Sequence, residues 1–383
     1  MRTVRLLGIT SLLCLTAAVS SAQLIQEHVT GLLSPVRTLA LPGGALLVAE
    51  AGRTTVNSGR VSLVDRDRRR FTVIDQLPSG FHGPANDPTG PSVVLLFDRR
   101  LYILIGNGDV SIAAAGGIER VNPSPSSPLF SSILLLELPD DDGDIATGFR
   151  LPRFAHETIA RGEGVYLSNA DGRTARLSRV VDFVDHVPMP RPDVPDNVQI
   201  SNTFAMVGSE ARFHVTDAAR NLVWTVSLAD RTPAVVATFP PVPNTVAGLG
   251  PPVVDPVPAS IRTWGDELLV SFLSGFPFGP GAARVARLDR HTGEVRTLIG
   301  GLQTAVDVLP VAHGRGRFYV VEYSTNFTAG APGRLLLVDD VDRAPLVIAE
   351  GLMQPTSVSR NGAGDLFITE ITAGRIVRIV APE

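Results

Sequence analysis

Leu366-Phe-Ile-Thr-Glu370, followed by Gly374-Arg375-Ile376, is the stretch near the C-terminus that decides the fold. Gly351-Leu352 and Pro355 precede it, and the same order of residues returns twice upstream. The two upstream copies are Gly301-Leu302, Phe318-Tyr-Val-Val-Glu322 and Gly333-Arg334-Leu335, and Gly31-Leu32, Pro35, Leu46-Leu-Val-Ala-Glu50 and Gly59-Arg60-Val61. The last two copies lie about 50 residues apart, a spacing that suits four short antiparallel strands with their turns.

Three weaker copies fill the middle of the chain and bring the number of units to six. They are Leu101 to Gly106 with Ser132 to Leu138, Phe213 to Asp217 with Leu222 to Val226, and Leu268 to Phe272 with Ala283 to Leu288. A four-stranded sheet cannot bury both of its faces alone, and packing such sheets radially around an axis does so. The sequence therefore predicts an all-β fold, a six-bladed β-propeller of four-stranded antiparallel blades, with seven blades as the competing count.

The repeats indicate a single propeller domain over residues 23–383. Residues from about 139 to 197 break the pattern, with several prolines close together, and are interpreted as an irregular insertion plus the outer strand of the second blade. Propeller geometry also predicts that a strand near Gln23 to Val29 completes the last blade and ties the two ends of the chain together.

The first 22 residues carry the pattern of a secretory signal peptide. Arg2 and Arg5 precede an apolar run from Leu6 to Val19, and Ser20-Ser21-Ala22 supplies small residues before a cleavage after Ala22. The run is shorter than the roughly 20 residues of a membrane-spanning helix. We therefore expect a secreted or periplasmic bacterial protein with no membrane span once the signal is removed.

Composition excludes several kinds of chemistry. Cys14 is the one cysteine and lies in the signal segment, so the mature chain has no disulfide, thiolate metal site or cysteine nucleophile. All basic residues are arginine, which excludes Schiff-base chemistry on a lysine. A net charge of -4 offers no basic face for nucleic acid.

Three segments carry a resemblance to a known family: Ser274-Gly-Phe-Pro-Phe278 with Gly281-Ala-Ala-Arg284, Glu322-Tyr-Ser-Thr-Asn326, and Asp217-Ala-Ala-Arg-Asn221. From Gly31 to the C-terminus the sequence resembles the ScyD/ScyE family of exported propeller proteins, which are similar in style to NHL and strictosidine-synthase-like propellers. The resemblance implies a six-bladed propeller and a signal peptide. Several blades depart from the family's usual glycine-aspartate turns.

The second strand of each unit ends at a position that is a carboxylate in four of six units. The six residues are Glu50, Ile105, Asp217, Phe272, Glu322 and Glu370. One hypothesis is that the four carboxylates, with Asp307 from an innermost strand, hold a cation, for which calcium is the candidate. The other is that each carboxylate accepts hydrogen bonds from turn amides, or pairs within its blade with Arg60, Arg334 or Arg375.

Two loops are predicted to place aromatic side chains and one amide on the same face of the propeller as these carboxylates. Phe276 and Phe278 lie in one loop, and Tyr323 and Asn326 in the other. Rims that bind ligands often have this character. The alternative is a proline-braced loop whose phenylalanines cover a neighbouring blade.

Searches for catalytic motifs find neither a zinc-protease helix, a Gly-x-Ser-x-Gly elbow nor a phosphate-binding loop. The sequence therefore favours a monomeric binding or scaffold protein without an evident catalytic motif or cofactor. Its partner would be a small molecule, a glycan or a protein at one face. The alternative is a propeller enzyme, either a calcium-dependent hydrolase or lactonase or a quinone-type oxidoreductase.

Overall fold

The computed structural model describes residues 25–83, 87–139, 148–311 and 316–380. Strands dominate these ranges because short Val-, Leu- and Ile-rich runs alternate with glycine and proline turns. The helical segments of the described ranges are one short α-helix, Ala155–Ala160, and one 3-10 turn, Phe327–Ala329.

Six antiparallel sheets form the blades, numbered 1 to 6 in chain order from the N-terminal repeat and described from the innermost strand outwards. Blade 1 contains Pro35–Ala40, Leu46–Glu50, Gly59–Val64 and Arg70–Leu77; blade 2 contains Pro91–Phe97, Arg100–Ile105, Ser132–Glu137 and Thr174–Asp182; and blade 3 contains Thr203–Ser209, Arg212–Asp217, Leu222–Ser227 and Pro233–Thr238.

Blades 4 to 6 repeat the same order. Blade 4 contains Pro258–Trp264, Glu267–Phe272, Ala283–Asp289 and Val295–Leu302; blade 5 contains Ala305–Pro310, Phe318–Glu322, Gly333–Val338 and Leu346–Leu352; and blade 6 contains Pro355–Arg360, Leu366–Glu370, Arg375–Ile379 and Ile25–Val29. The predicted six-bladed propeller is confirmed, and a seventh blade is not found in the ranges just given.

Blade 6 is completed by the N-terminal strand. Ile25–Val29 pairs antiparallel with Arg375–Ile379, with Ile25 opposite Ile379. This pairing confirms the predicted closure of the ring by the two ends of the chain.

Residues 148–182 add structure to the outer edges of blades 1 and 2. Phe149–Arg150 pairs parallel with Arg70–Leu77, and Val165–Ser168 pairs antiparallel with Thr174–Asp182, so each of these blades has a fifth strand. Among the described residues, four two-stranded hairpins lie outside the blades: Gly80–His82 with Asp87–Thr89, Ser111–Ala114 with Ile118–Val121, His186–Pro188 with Val198–Ile200, and Val242–Pro243 with Val253–Val254.

Six apolar clusters make up the core, one between each pair of neighbouring blades. Leu47 and Ile103 belong to the cluster between blades 1 and 2, and Phe318 to the cluster between blades 4 and 5. The cluster between blades 6 and 1 joins Val48 to Ile376 and so seals the ring. Because both faces of most strands are buried, these strands are continuously apolar rather than alternating.

Among the described residues, no helix has the length and apolar character needed to cross a membrane.

Candidate functional site

Three of the predicted carboxylates are buried and form ion pairs within their own blades. Glu50 accepts from Arg60 Nε at 2.9 Å and Nη2 at 2.6 Å, from the Ser62 hydroxyl, and from the Leu33 backbone N–H at 2.5 Å. The side chain of Glu50 is fully buried. The carboxylate therefore joins the third strand of blade 1 to the segment that precedes its innermost strand.

Blades 5 and 6 repeat this arrangement. Glu322 accepts from Arg334 Nε at 2.5 Å and from the Gln303 N–H at 2.7 Å. Glu370 accepts from Arg375 Nε and from the Met353 N–H at 2.5 Å. We call these three units the rim pairs: Glu50–Arg60, Glu322–Arg334 and Glu370–Arg375.

The glycine before the arginine of a rim pair allows close packing between blades. A Cβ atom at Gly59 would lie 2.6 Å from Pro91 Cδ, and one at Gly333 would lie 2.6 Å from Pro355 Cδ. These prolines begin the innermost strands of the next blades. The repeated Gly-Arg dipeptide thus combines a close interblade contact with an ion pair inside the blade.

Asp217 occupies the same position in blade 3 with other partners. Its carboxylate accepts from the backbone N–H groups of Asn202 at 2.8 Å and Arg220 at 3.2 Å, and from Trp224 Nε1 at 3.2 Å. In the parts of the chain that the structure describes, no three His, Cys, Asp or Glu side chains gather as a metal site would require. Calcium binding by these carboxylates stays a prediction.

A cavity of about 580 Å³ opens at the mouth of the central channel and draws residues from five of the six blades and from the hairpin that follows blade 1. Its apolar wall comprises Phe81, Pro88, Phe204, Ala218, Val257, Ala259, Leu273, Val306, Tyr323, Phe327 and Ile371. Its polar groups are Ser34, Arg53, Thr54, Asp87, Thr89, Asn202, Gln354, Thr356 and Thr372. A volume between about 300 and 1,000 Å³ is typical of small-molecule sites.

Four aromatic rings form a continuous row from the cavity to the surface, here called the aromatic row. Tyr323 stacks on Phe327 with ring centroids 5.7 Å apart, and Phe327 stacks on Phe278 at 3.9 Å. Phe276 meets Phe278 edge-on at 6.3 Å and is 51% exposed. Phe276, Phe278 and Tyr323 were predicted from the sequence, and the structure brings them together through Phe327. Of the three predicted residues, Tyr323 lines the cavity and the two phenylalanines do not.

Backbone conformation holds the loop of blade 4 against blade 5. Phe278 has φ +58° and Ser274 φ +72°, in the left-handed region that is costly for residues with a side chain. The Phe278 carbonyl accepts from Gln303 Nε2 at 3.2 Å, which ties the loop to the start of blade 5. These constraints place the Phe278 ring on Phe327.

Asn326 has a local role. Its side chain caps the 3-10 turn by accepting from the Ala329 N–H at 3.2 Å and from the Thr328 hydroxyl at 3.0 Å. It is not among the residues that line the cavity. Asn326 thus supports the turn that carries Phe327.

Ionisable groups in the cavity wall are few: Arg53, Asp87 and Tyr323. Burial, followed by the Asp87 carboxylate, raises the pKa of Tyr323 to about 12. The phenol is therefore neutral at physiological pH and can donate or accept a hydrogen bond. Arg53 donates to the Thr372 carbonyl at 3.5 Å across the junction between blades 1 and 6.

Sequence reasoning missed the hairpin that contributes Phe81, Asp87, Pro88 and Thr89 to the cavity. It also missed Phe204, which lies on the innermost strand of blade 3. One signal could have identified Phe204. It directly precedes Ala205, which occupies in blade 3 the position that Asp307 occupies on the innermost strand of blade 5. No repeat marked the hairpin, because it occurs once.

Asp307 lies on the innermost strand of blade 5 and is fully buried. It forms ion pairs with Arg262 Nη2 at 2.6 Å and with Arg37 Nη1 at 3.1 Å, and it accepts from the Val358 N–H at 2.9 Å. Burial alone would raise the pKa of Asp307, but Arg262 and Arg37 lower it below its usual value. Two guanidinium groups around one carboxylate favour an anion over a cation at this position.

Comparisons with known proteins support the fold class. No family model and no curated protein sequence matches the chain, so membership of the ScyD/ScyE family stays a prediction. A solved structure of glucose dehydrogenase is similar at 12% identity and TM-score 0.50, over 94% of this chain and 100% of that one. The likeness shows the fold alone: this protein is a six-bladed β-propeller.

Two further solved structures are similar at lower TM-scores. A putative oxidoreductase (glucose dehydrogenase) from Thermus thermophilus is 17% identical, with TM-score 0.45 over 93% of this chain and 99% of that one. A streptogramin B lyase is 13% identical, with TM-score 0.46 over 93% and 96% of the two chains.

Proposed function

We propose that this protein binds a small amphipathic molecule with a planar apolar portion in the cavity at the mouth of its channel. The observation that carries the proposal is the aromatic row, which begins at the cavity wall with Tyr323 and ends at the surface with Phe276. Stacked rings offer flat faces to a planar ligand at low cost in conformational entropy.

The balance of groups in the cavity supports a ligand with one apolar end and one polar end. Apolar side chains such as Ala259, Leu273 and Val306 come from the innermost strands and from the loop after a second strand. Arg53, Asp87 and Gln354 provide hydrogen-bonding groups in the same wall. A mostly apolar cavity with a few convergent polar groups is the usual form of a small-molecule site.

The same wall favours binding over catalysis. Asp87 is its one carboxylate among the described residues, Tyr323 is neutral, and no lining residue is a histidine. General acid–base catalysis is most effective with a side chain whose pKa lies near the operating pH, most often a histidine, and the described wall has none. The calcium-dependent hydrolase and the quinone oxidoreductase remain alternative predictions.

The test uses a library of small aromatic acids, amides and glycosides, screened against the purified protein by saturation-transfer NMR, with affinities measured by calorimetry. Tyr323→Ala should weaken a cavity ligand about tenfold, the loss of roughly 1.4 kcal/mol of stacking, and Phe278→Ala should weaken it less, because Phe278 supports Phe327 from behind and does not line the cavity. Unfolding free energies should change by about 1 kcal/mol or less, because Tyr323 and Phe278 are only partly buried.

Phe154→Ala is the matched control, because Phe154 is 81% exposed and does not line the cavity. Its affinity for the same compounds should equal that of the wild type. Compounds that bind equally to all variants would refute the site, and a screen with no binder would refute a small-molecule ligand in favour of a glycan or protein partner.

Export is the second part of this proposal. It rests on the charged, apolar and small-residue pattern of residues 1–22, which lie outside the described residues. Mass spectrometry of the protein recovered outside the cytoplasm should find a chain that begins at Gln23. A full-length chain retained in the cytoplasm would overturn this part.

A further inference from the structure

Arg37, Arg262 and Asp307 form a buried ionic group across the channel, here called the axial group. Arg37 comes from the innermost strand of blade 1, Arg262 from that of blade 4 and Asp307 from that of blade 5. Val306 lines the cavity, and Asp307 is the next residue along the same strand. None of the three axial residues lines the cavity, so the axial group is distinct from it.

Hydrogen bonding within the axial group is unequal. Arg262 uses Nε and Nη2 on Asp307, at 3.3 and 2.6 Å, and Nη2 also donates to the Val358 carbonyl at 3.0 Å. Arg37 contacts Asp307 through Nη1 alone. Its Nε and Nη2 atoms are buried and have no hydrogen-bond partner among the described residues.

The unpartnered atoms of Arg37 form one edge of its guanidinium group. Nε and Nη2 lie side by side there, and their N–H bonds form the fork that binds a carboxylate. Elsewhere in this protein the same edge is occupied: Arg60 uses it on Glu50, and Arg287 uses it on Glu267. Arg37 is 5% exposed, so bulk solvent cannot replace such a partner.

Charge points to the kind of partner. The charged groups that act on Arg37 are Asp307 and Arg262, so two positive charges face one negative charge. Burial lowers the pKa of Arg37, and the Asp307 carboxylate opposes that effect. A buried N–H without a partner is destabilising, and a negative partner removes both the unpaired donors and the excess charge.

We propose that the channel holds a small monoanion against Nε and Nη2 of Arg37. The ligand class is a halide or a short carboxylate, because Arg37 is nearly fully buried and the two N–H groups on one edge of its guanidinium match a single small anion. Bound there, the anion balances the axial group and strengthens the connection between blade 1 and blades 4 and 5. The site is independent of the small-molecule cavity.

The test measures the melting temperature of the full protein in sodium chloride and in sodium formate, against sodium gluconate at the same ionic strength. Gluconate is too large for the site. The wild type should show a saturable rise of roughly 2 to 5 °C at an anion concentration about 100 times Kd. A response to chloride alone identifies a halide site, and a stronger response to formate identifies a carboxylate site.

Arg37→Met should abolish the saturable rise, whereas Arg343→Met should retain it. Arg343 is the matched control because its side chain is 83% exposed and removal of its charge leaves the axial group intact. Equal melting curves in all three salts, or a rise that survives in Arg37→Met, would overturn the proposal and leave water as the partner of Arg37.

Anomalous diffraction from a bromide-soaked crystal provides a readout that does not depend on the folding of Arg37→Met. A bromide peak in contact with Nε and Nη2 of Arg37 is the expected result. A map without that peak, from crystals with bromide at surface sites, contradicts the proposal. Neither result affects the cavity, which Tyr323→Ala and Phe278→Ala test separately.

Discussion

Blades 1, 5 and 6 differ from blades 2, 3 and 4 at the end of the second strand. The first three have the rim pairs, whereas the other three have Ile105, Asp217 and Phe272 there. In blade 4 the cross-strand arginine is present but its partner is an aromatic ring: Arg284 lies opposite Phe272, 4.5 Å from its ring centroid. The same backbone position thus accepts an ion pair, a capped aspartate or a cation–π contact.

The carboxylate at this position therefore stabilises a blade, and other groups can take its place. Each rim pair satisfies a backbone N–H before the innermost strand, and Asp217 satisfies the Asn202 N–H in the same way. The shared requirement is the buried amide, which costs stability when it lacks a partner. A ligand site, in contrast, is expected to keep groups without internal partners.

Of the substitutions considered, Glu50→Ala should lower the stability of the protein most, because it removes a rim pair. It removes a fully buried carboxylate and leaves the mostly buried Arg60 and Leu33 N–H without this partner, and we expect a loss of about 3 kcal/mol in the free energy of unfolding. Denaturant titration measures this loss. Glu267→Ala is the control, because the Glu267–Arg287 pair has the same two-bond geometry but is partly exposed and should cost about 1 kcal/mol or less. Equal losses of unfolding free energy in the two variants would show that burial does not determine how much an ion pair contributes to stability.

Acid should destabilise blades of both kinds through buried histidines. His28 in blade 6, His214 in blade 3 and His156 on the helix each have a pKa lowered to about 4, chiefly by burial. The unfolded chain binds more protons than the folded one between about pH 6.5 and 4, so stability is full above pH 6.5 and falls as the pH drops through this window. Each histidine should cost about 2 kcal/mol at pH 5.

Denaturant titrations at pH 7.5 and pH 5 measure this dependence. His214→Gln should reduce the difference between the two pH values. His291→Gln should change it far less, because His291 is exposed and its charge is the smallest of the causes that lower the pKa of His214. A pH dependence that is the same in His214→Gln as in the wild type would contradict the role of burial.

Arg284→Met measures how much the cation–π contact of blade 4 contributes to stability in the place of a rim pair. The variant loses the contact with the Phe272 ring but leaves no carboxylate unpaired, so we expect a loss of about 1 kcal/mol. Burial also lowers the pKa of Arg284, which means that the charge itself is costly there. A loss as large as that of Glu50→Ala would place the cation–π contact on a level with a rim pair.

Chelation should have the smallest effect. A cation at the rim would have to displace an arginine from Glu50, Glu322 or Glu370, and the melting temperature should therefore be unchanged by removal of divalent ions and by calcium added back. A drop on chelation that calcium reverses would support the calcium hypothesis, and Glu322→Gln would then show whether that carboxylate takes part.

The fold was predictable from the sequence because the residues that form the rim pairs recur in several blades and have the same structural role in each. The glycine before each rim arginine, the arginine itself and the glutamate return at similar spacings, as Gly59-Arg60 and Glu50 do in blade 1. Blades without the full set were still found from their apolar strands. Local order was enough, since each blade is formed from consecutive strands.

The candidate site was predictable only in part. Phe276, Phe278 and Tyr323 were identified because they closely follow second strands, whose position the repeat gives. The cavity wall also takes Phe81 from a unique hairpin, and the axial group joins Arg37 to a residue four blades further along the chain. Such contacts form between distant parts of the chain when the ring of blades closes, so the spacing of residues within one repeat does not predict them.

The pairing of Ile25–Val29 with Arg375–Ile379 makes the order of synthesis part of the architecture. Ile25–Val29 is synthesised early and cannot pair until Arg375–Ile379 has been synthesised. Until the two strands pair, each presents an unpaired edge of the kind that promotes aggregation. A chain whose blade 6 is incomplete should therefore be sensitive to proteases. A short truncation at either terminus would remove a strand from this same blade.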